Sequence, residues 1–569
     1  MTPTPQNSVW LGPDSIITAL GSSSAEVVSA ISAGRVGCRE VRDSGLWGEP
    51  FVAGRVEREK IPAGRPGETP LEAMFIATIG DVVARSDIDP GASDSALIVS
   101  STKGNIDLLT GEVPVDERVF IGEMAVRIAD RCGFANRPIV ISNACISGVS
   151  AIIVASRLIR EGMYRNVVVA GGDVLTRFVV TGFQAFRSVS GKVCRPYDAA
   201  RDGLTLGEGC GAVLLTADRE RATHPAVEVA GGAVSGDANH ISGPSRTGDG
   251  LFFALRDAMA EADVVPAEVG FVNGHGTGTL FNDEMESKAF ALAGLDNTPV
   301  DGLKPYFGHT LGAAGVIETI VSAHGLRSDT IFGTPGFSEA GTPHALSVSP
   351  AHRATGADVC IKTASGFGGC NAAVVLRRVE GSASSPPQAA KDGRAAETAR
   401  ILITPTPPHT FAETIRERFK ALSHPDMKFF KMDDLSKLAY VAAGELLARA
   451  RQNGTDVNRK YSPDRIGIVL ANRSASLDTD LRHCRRIATD YEASPAVFVY
   501  TLPNVSAGEV AIRHKIQGEN TFFIDNDARF ATLYARMLLS RGHLDAVICG
   551  WCELLGENYK AELMLLEKQ

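Results

Sequence analysis

The chain has 569 residues, of which 44% are hydrophobic and 22% are charged, and its formal net charge is −9. This length is enough for two or more domains, and the composition is that of a globular protein. The negative charge argues against nucleic acid as a partner, because phosphate binding needs a basic surface. It does not exclude a local basic patch that binds an acidic protein.

Targeting and membrane signals are not visible in the sequence. Residues 1–8 lack the basic and apolar stretches of a secretory signal, and no apolar run is long enough to span a bilayer. The ten cysteines form no regular disulfide framework. Cys549 and Cys552 are a close pair, but no second Cys or His pair stands at metal-binding spacing. We therefore expect a cytoplasmic protein with reduced thiols, no bound metal and no membrane span.

Buried strands and helices alternate along the first two thirds of the chain. The strand patterns are apolar without alternation, which is typical of strands covered on both faces. The clearest of these elements are strands at 96–100, 138–141 and 167–172, helices at 118–132 and 250–262, and a last pair of strands near 345–348 and 372–377. Because the alternation occurs twice over, it predicts a layered α/β/α/β/α architecture of two similar halves.

Cys145 lies where a predicted buried strand turns into a helix. The apolar run 138–141 leads into it, and a helical pattern at 151–159 leads out. A helix N-terminus offers unpaired N–H groups and a partial positive charge, so we expect the thiolate of Cys145 to be favoured over the thiol. The small residues Ala144, Ser147 and Gly148 leave room for a substrate. A free cysteine is more often a buried structural residue, and this stretch alone leaves both interpretations open.

Two histidines stand in glycine-rich turns after apolar strands. His275 follows the run at 271–273, and His309 follows Gly308 and precedes a second glycine-rich stretch at 312–315. A single histidine of this kind is more often structural. One cysteine and two histidines, all at strand ends beside glycines, form a plausible site for making a carbon–carbon bond.

The stretch 379–398 is rich in Ser, Pro and Ala and has no periodicity, which predicts a flexible linker. It separates a domain at 1–378 from a shorter one at 399–569. In the shorter domain, strand patterns occur at 401–404, 466–471 and 521–524.

Five motifs in the first domain resemble those of β-ketoacyl synthases of the thiolase superfamily, of the decarboxylating Cys-His-His kind. They occur in the family order, and the resemblance covers about residues 8–378. The motifs are Asn143-Ala144-Cys145; 195–203 with Gly207-Glu208-Gly209; 275–279 with Asn282, Asp283 and Glu286; Lys304, Gly308-His309, 312–315 and Glu318; and 366–371.

The resemblance implies the thiolase fold and an acyltransferase mechanism. Cys145 would attack an acyl thioester carried on a phosphopantetheine arm. A malonyl thioester would then lose carbon dioxide, and the resulting enolate would attack the acyl-cysteine carbonyl. His275 and His309, as neutral imidazoles, would donate hydrogen bonds to this enolate. The product would be a 3-oxoacyl group on an acyl carrier protein, and no cofactor is implied beyond the phosphopantetheine of that carrier.

The same resemblance assigns supporting roles. Lys304 and Glu318 would act electrostatically on the histidines, or they would form only a structural ion pair. The N–H groups of Cys145 and Phe367 would form an oxyanion hole, and Phe367 would swing as a gate over the acyl pocket. The other residues that the resemblance places at the substrate are Thr277, Thr279, Gly366, Gly368 and Asn371. The two threonines could instead satisfy backbone groups of their turn.

Residues 399–569 resemble the first half of a second ketosynthase, truncated and without a nucleophile. The strand at 521–524 should lead to one, but the polar stretch 525–527 follows, and the turn contains no Cys or Ser. A sheet half without its partner half exposes an apolar face. We therefore expect this segment to pack on residues 1–378 or on another subunit, in place of a dimer partner.

Two other functions stay open. The chain could be a non-catalytic partner subunit of the chain-length-factor type, although the intact Cys145, His275 and His309 argue against this. A thiolase would use a second cysteine as a base, where this sequence has histidine motifs. The expected partners are an acyl carrier protein and a ketosynthase-like subunit, in a homodimer or heterodimer. The motifs do not determine acyl chain length or pathway, whether fatty acid, polyketide or polyene synthesis; the extra half-copy favours a specialised one.

Overall fold

The computed structural model describes residues 8–380, 395–422, 426–489 and 493–569. Of the predicted linker 379–398, residues 381–394 lie outside the described residues. The next strand begins at Ala395, so the end of the predicted linker is strand rather than loop. Among the described residues, no helix has the length and apolar character that crossing a bilayer requires.

The described residues fold into three successive groups of strands and helices, which we call the first, second and third copy. The first copy contains β1 (Trp10–Ile17), α1 (Ser24–Ser32), β2 (Arg39–Val41), β3 (Phe51–Gly54), α2 (Pro70–Ser86), β4 (Ser95–Ser100), α3 (Ile121–Cys132), β5 (Ile139–Ile141), α4 (Ser147–Arg160), β6 (Asn166–Asp173), α5 (Arg177–Ala185), β7 (Leu206–Gly207) and β8 (Gly209–Thr216). The second copy contains β9 (Val227–Gly236), α6 (Asp249–Ala262), β10 (Val269–Asn273), α7 (Leu280–Leu292), β11 (Pro299–Asp301), α8 (Lys304–Phe307), α9 (Ala314–Arg327), β12 (Thr330–Ile331), β13 (Ser347–Val348), β14 (Arg353–Ala354), β15 (Val359–Gly366) and β16 (Cys370–Arg378). The third copy contains β17 (Ala395–Ile403), α10 (Phe411–Ala421), α11 (Asp434–Gln452), α12 (Val457–Lys460), β18 (Ile466–Asn472), α13 (Leu477–Thr489), α14 (Pro495–Val499), α15 (Asn504–His514), β19 (Asn520–Ile524), α16 (Arg529–Ser540), β20 (Ala546–Leu555) and β21 (Asn558–Lys568).

The main sheet repeats one five-stranded motif three times. The strand orders are β1-β8-β6-β4-β5 in the first copy, β9-β16-β15-β10-β11 in the second and β17-β21-β20-β18-β19 in the third. In each order the first two pairs are antiparallel and the last two are parallel. The predicted architecture of two similar halves is therefore confirmed for the first two copies, and the third copy builds the same motif once more.

Helices fill the space between the first two copies and cover their outer faces. α4 and α9 touch strands of both copies, so they form a central layer. α2 packs on the strands of the first copy and α6 on those of the second, with α3 and α7 beside them. Strands covered on both sides explain why the sequence patterns are continuously apolar.

The last pair of strands in the second copy differs from the predicted pair. The structure pairs β15 with β16, whereas Ser347–Val348 is a two-residue edge strand beside β11. The strand predicted near 345–348 is therefore present but short, and it does not pair with β16. The sequence prediction missed β15, because Lys362 and Thr363 in its centre hide its apolar pattern.

The third copy is joined to the first by antiparallel pairing of β19 with β5. Phe523 lies opposite Ile141, and Ile524 lies opposite Val140. Because β19 occupies the free edge of β5, the sheet of the first copy runs on into that of the third. The nucleophile-free segment thus packs on residues 1–378 of its own chain.

The side chain of Asn143 extends this pairing beyond the end of β5. Its Oδ1 accepts from the N–H of Phe522 at 2.9 Å, and its Nδ2 donates to the carbonyl of Asn520 at 2.8 Å. The residue two positions before Cys145 is therefore held by the third copy.

A buried ion pair also links the two copies. Arg157 of α4 donates to Glu519 at 2.7 Å, and their side chains are only 6% and 3% exposed. The Tyr534 hydroxyl donates to the other Glu519 oxygen at 2.6 Å. Each charge therefore depends on its partner for compensation, since water cannot supply it.

We expect Glu519→Ala to lower the free energy of unfolding by about 3 to 5 kcal/mol, because Arg157 would remain buried without its carboxylate. The measurement is the denaturant midpoint of the full chain. The control is Asp527→Ala, which breaks an exposed pair with Arg529 and should leave the midpoint almost unchanged. Equal small shifts for the two variants would contradict the assignment.

Candidate active site

Cys145 sits at a sharp turn between β5 and α4. Ala144 has a left-handed backbone conformation with φ of +48°, which is uncommon outside glycine. The Ser147 hydroxyl fixes the turn, because it donates to the Ala144 carbonyl at 2.6 Å and accepts from the Asn143 N–H at 2.8 Å. The cysteine is therefore held in one place at the end of the strand.

Gly148 makes room for a helix and not for a substrate. A Cβ atom at this position would lie 2.6 Å from the Val316 nitrogen and 2.9 Å from the Gly315 Cα, both in α9. The prediction that Gly148 leaves space for a substrate was wrong, because close crossing of α4 and α9 uses that space. Ala144, in contrast, lines a cavity beside Cys145.

The loop that carries His275 is shaped by a buried carboxylate. Glu286 of α7 accepts from the N–H of His275 at 2.6 Å and from the N–H of Gly276 at 2.8 Å. Gly276 has φ of +48°, a conformation that glycine adopts without strain. Glu286 thus serves the loop structurally.

The backbone of His309 is fixed by the segment that precedes β8. Its N–H donates to the Thr205 carbonyl at 2.7 Å, and its carbonyl accepts from the Gly207 N–H at 3.0 Å. Gly308 has φ of +80°, and a Cβ there would lie 2.4 Å from the Leu206 carbonyl oxygen. Only glycine fits this close approach.

These loops bring Cys145, His275 and His309 into one cluster. A sulfur or ring nitrogen from each lies within 4.8 Å of the others, and the two imidazole rings are perpendicular with centroids 5.1 Å apart. Neither ring nitrogen of His309 has a hydrogen-bond partner among the described residues, although the ring is buried. An unpartnered buried imidazole is costly, so this one is available to a ligand.

Both imidazoles are neutral at physiological pH. Burial holds the pKa of His275 and of His309 well below the usual range, and the nearby Lys304 and Lys362 lower both pKa values further. Lys304 also approaches Nδ1 of His275 at 3.4 Å. Because an ammonium group can only donate, this contact leaves the His275 ring proton on Nε2.

The predicted pair of Lys304 and Glu318 is part of a larger buried network. Lys304 donates to Glu318 at 2.9 Å and to the carbonyl of His275. Lys362 of β15 also contacts Glu318, and it donates to the Gly274 carbonyl at 3.2 Å. Two ammonium groups therefore share one carboxylate next to the histidines.

The expectation that Cys145 favours its thiolate was wrong. Burial raises the pKa of this thiol to about 12, and the positive charge of Lys304 offsets only part of the rise. The N-terminus of α4 lies inside the protein, where desolvation of the anion outweighs the helix dipole. The N–H groups of Cys145 and Phe367 nevertheless both point at the sulfur, where they favour negative charge.

Phe367 lies in the turn between β15 and β16 and faces an aromatic cluster. Its ring centroid is 5.4 Å from that of Phe186 and 6.1 Å from that of Phe183. The cavity beside Cys145 measures about 20 Å³ and is lined by Phe183, Phe367 and Phe498, among others. It holds about one water molecule in this state, and Phe498 comes from the third copy.

The remaining predicted substrate residues differ in their surroundings. The hydroxyls of Thr277 and Thr279 lie 2.9 Å apart and bond to each other. Asn371 accepts from Ser365 at 2.8 Å and donates to Asp237 at 2.8 Å. Both ends of the Asn371 amide are therefore bonded to protein, and the structure does not place it at the cavity. Gly366 and Gly368 flank Phe367 in the turn.

Sequence reasoning missed two buried charged residues at the site. Asp173, at the end of β6, accepts from the N–H of Thr102 at 3.0 Å and from that of Gly312 at 2.7 Å, so it ties two loops around the cluster together. The signal for Lys362 is a single lysine within the apolar run of β15. No local signal marks Asp173, because its partners are far away in sequence.

Comparisons with known proteins agree with this geometry. The family model "Beta-ketoacyl synthase, N-terminal domain" matches residues 86–221, and "Beta-ketoacyl synthase, C-terminal domain" matches residues 226–338. The "Putative polyketide beta-ketoacyl synthase 1" of Streptomyces virginiae is 31% identical over 299 residues, which cover 50% of this chain and 71% of that protein. The chain belongs to the β-ketoacyl synthase family. The family predicted from the motifs is confirmed.

A second curated relative and a solved structure extend the comparison. The "3-oxoacyl-[acyl-carrier-protein] synthase 2" of Rhizobium meliloti (strain 1021) is 35% identical over 253 residues, 42% of this chain and 60% of that protein. The chain thus spans 60% and 71% of the lengths of these two relatives. The solved structure "PfaC Keto synthase-Chain length factor" superposes with a TM-score of 0.79 over 99% of this chain and 78% of that one. At 14% identity, this likeness shows the fold alone.

The raised pKa of Cys145 predicts a slow, pH-dependent alkylation. With a pKa of about 12, the thiolate fraction should rise about tenfold per pH unit up to pH 9. We expect the rate of iodoacetamide labelling at Cys145, followed by peptide mass spectrometry, to rise with that slope. A rate that levels off below pH 8 would show that the helix N-terminus does stabilise the thiolate.

The charge of Lys362 predicts a change in the histidine titrations. In Lys362→Met the pKa values of His275 and His309 should rise, because one of the two cations that disfavour imidazolium is removed. Histidine-selective ¹³C NMR of the full chain measures this, with the exposed Lys192→Met as the matched control. Unchanged titrations in Lys362→Met would remove Lys362 from the electrostatics of the site.

Proposed function

We propose that this chain catalyses the decarboxylative Claisen condensation of an enzyme-bound acyl group with malonyl-acyl carrier protein, giving 3-oxoacyl-acyl carrier protein. The observation that carries the proposal is the cluster of Cys145, His275 and His309, with two backbone N–H groups directed at the sulfur. A non-catalytic partner subunit would have no need for two neutral imidazoles beside a cysteine, one of which, His309, has no hydrogen-bond partner among the described residues.

In the acylation step, Cys145 attacks the carbonyl carbon of an acyl thioester. The original carbon–sulfur bond of the thioester then breaks, and the released carrier thiol takes up the proton that Cys145 has lost. Because burial keeps the sulfur protonated, the proton must leave as the carbon–sulfur bond forms. His309 is the candidate acceptor, since both its ring nitrogens lack partners and its pKa is low enough to keep it unprotonated beforehand. The N–H groups of Cys145 and Phe367 stabilise the developing oxyanion.

In the condensation step, the malonyl thioester loses carbon dioxide and its enolate attacks the acyl-cysteine carbonyl. A carbon–carbon bond forms as the carbon–sulfur bond to Cys145 breaks, and the released sulfur takes up a proton again. The Nε2–H of His275 is a donor for the thioester oxygen, where negative charge develops. The positive charges of Lys304 and Lys362 support that charge electrostatically, and they also keep the imidazoles neutral in the resting site.

Several further features of the function belong to this proposal. The cavity beside Cys145 is too small for a long acyl chain while Phe367 and Phe498 keep their positions, so long chains require Phe367 to move as a gate. The proposed partner is an acyl carrier protein, with Thr277 and Thr279 at its phosphopantetheine arm. The third copy takes the place of a ketosynthase-like subunit, in specialised polyketide or polyene synthesis in the cytoplasm.

The proposal is tested by intact-protein mass spectrometry after incubation with a panel of acyl-carrier-protein thioesters. We expect a mass gain of one acyl group, fastest for short chains, in the full chain and in the control Cys132→Ala. The gain should be absent in Cys145→Ala. If no donor gives a mass gain, with the protein tested alone and with candidate partner synthases, the result would favour a non-catalytic partner subunit.

A further inference from the structure

Asn504, the first residue of α15, reaches from the third copy into the candidate active site. Its Nδ2 donates to the carbonyl of Phe367 at 2.8 Å and lies 3.5 Å from the Cys370 sulfur. The residue is fully buried. It is therefore a direct side-chain link between the third copy and the turn whose N–H faces the nucleophile.

The turn 366–369 is held from two sides. On one side, the Gly368 N–H donates to the Ile241 carbonyl at 2.6 Å. On the other side lies α15: a Cβ at Gly368 would be 2.5 Å from Asn504 Nδ2, and a Cβ at Gly508 would be 2.6 Å from the Gly368 carbonyl oxygen. Because both positions are glycine, α15 can approach the backbone of the turn closely, with no side chain of residue 368 or 508 between them.

Stability alone does not explain an asparagine at position 504. Its Oδ1 is buried and has no hydrogen-bond partner among the described residues. A buried amide with one end unsatisfied costs free energy that an apolar residue of the same size would not. The amide nitrogen, Nδ2, does have a partner, and that partner is the Phe367 carbonyl.

Because the fold repeats, the position of Asn504 in the third copy can be compared with the equivalent position in the first copy. α15 and α3 are counterparts, because each precedes the strand that comes third along the chain in the five-stranded motif of its copy, β19 and β5. α3 begins with Ile121 and α15 with Asn504. Among the described residues, the turn that follows β19 contains no Cys or Ser, so no nucleophile turn of the third copy lies there for α3 to hold. The polar side chain occurs only on the helix that faces one.

We propose that Asn504 is a positioning residue for the acylation step, so that the third copy contributes a part of the active site. By fixing the Phe367 carbonyl, it keeps the Phe367 N–H directed at the position where the oxyanion forms. The inference rests on the proposed function for its kinetic consequence, whereas its structural consequence can be measured without any substrate.

The test uses full-length Asn504→Leu and Asn504→Asp, which match the size of asparagine. Leucine cannot donate to the carbonyl at any pH, and aspartate cannot donate to it when ionised. The control is Ser506→Ala on the same helix, where the hydroxyl bonds only the Pro503 carbonyl of its own copy. Hydrogen exchange of the peptide that contains residues 366–369 is measured first, without substrate. We expect exchange at least tenfold faster in both Asn504 variants and unchanged exchange in the control.

Acylation is then measured at a saturating and at a limiting donor concentration. We expect the saturated acylation rate to fall about tenfold or more in both Asn504 variants, with the half-saturating donor concentration within twofold of the parent. A role confined to packing would lower the thermal midpoint and leave the saturated rate of the folded fraction unchanged.

Two results would overturn the inference. One is hydrogen exchange of the turn in Asn504→Leu equal to that in Ser506→Ala; the other is a saturated rate equal to that of the parent. Because Asn504→Leu removes the unpaired amide oxygen together with the donor and adds no charge, it tests the idea even if the aspartate variant fails to fold. If the parent chain accepts no acyl group while the exchange result holds, the proposed function fails and the positioning contact stands.

Discussion

The pairing of β19 with β5 is the contact on which the rest of this structure depends. A strand edge that carries unpaired N–H and C=O groups must be covered, and here the chain covers its own edge. The strand that is covered leads directly to Cys145. The pairing therefore places the third copy against the turn that carries Cys145, where the Asn143 side chain accepts one hydrogen bond from the backbone of β19 and donates another to it.

The second constraint is electrostatic. The site buries the side chains of Lys304, Lys362, Glu318 and Asp173, each of which would be costly without partners. Shared hydrogen bonds compensate these charges, and the net effect of the two lysines is to disfavour imidazolium. The imidazoles are thus hydrogen-bond donors without being cations, which suits a reaction in which negative charge appears only transiently.

The same burial changes the chemistry of the nucleophile. A thiol whose pKa lies far above neutral is protected from adventitious alkylation and oxidation. It can react when a substrate and a base are both in place. The rings of Phe183, Phe186, Phe367 and Phe498 form one aromatic cluster beside the Cys145 sulfur. Three of these rings, those of Phe183, Phe367 and Phe498, line the small cavity there. One residue of this cluster, Phe498, belongs to the third copy, so the two parts of the chain also meet at the cavity beside Cys145.

The sequence by itself determined the repeated α/β architecture, the family, and the residues Cys145, His275 and His309. These features can be recognised from short stretches of sequence. Strands buried on both faces produce continuous apolar runs, and tight turns require glycine, as at Gly308. Only the tertiary structure decided that Gly148 serves the crossing of α4 and α9 and that the Cys145 pKa rises. The contacts of Asp173, Lys362 and Asn504 with the site were also visible only in the tertiary structure. The physical reason is that desolvation and long-range hydrogen bonds depend on which residues meet in space, and no short pattern in the chain records those distances.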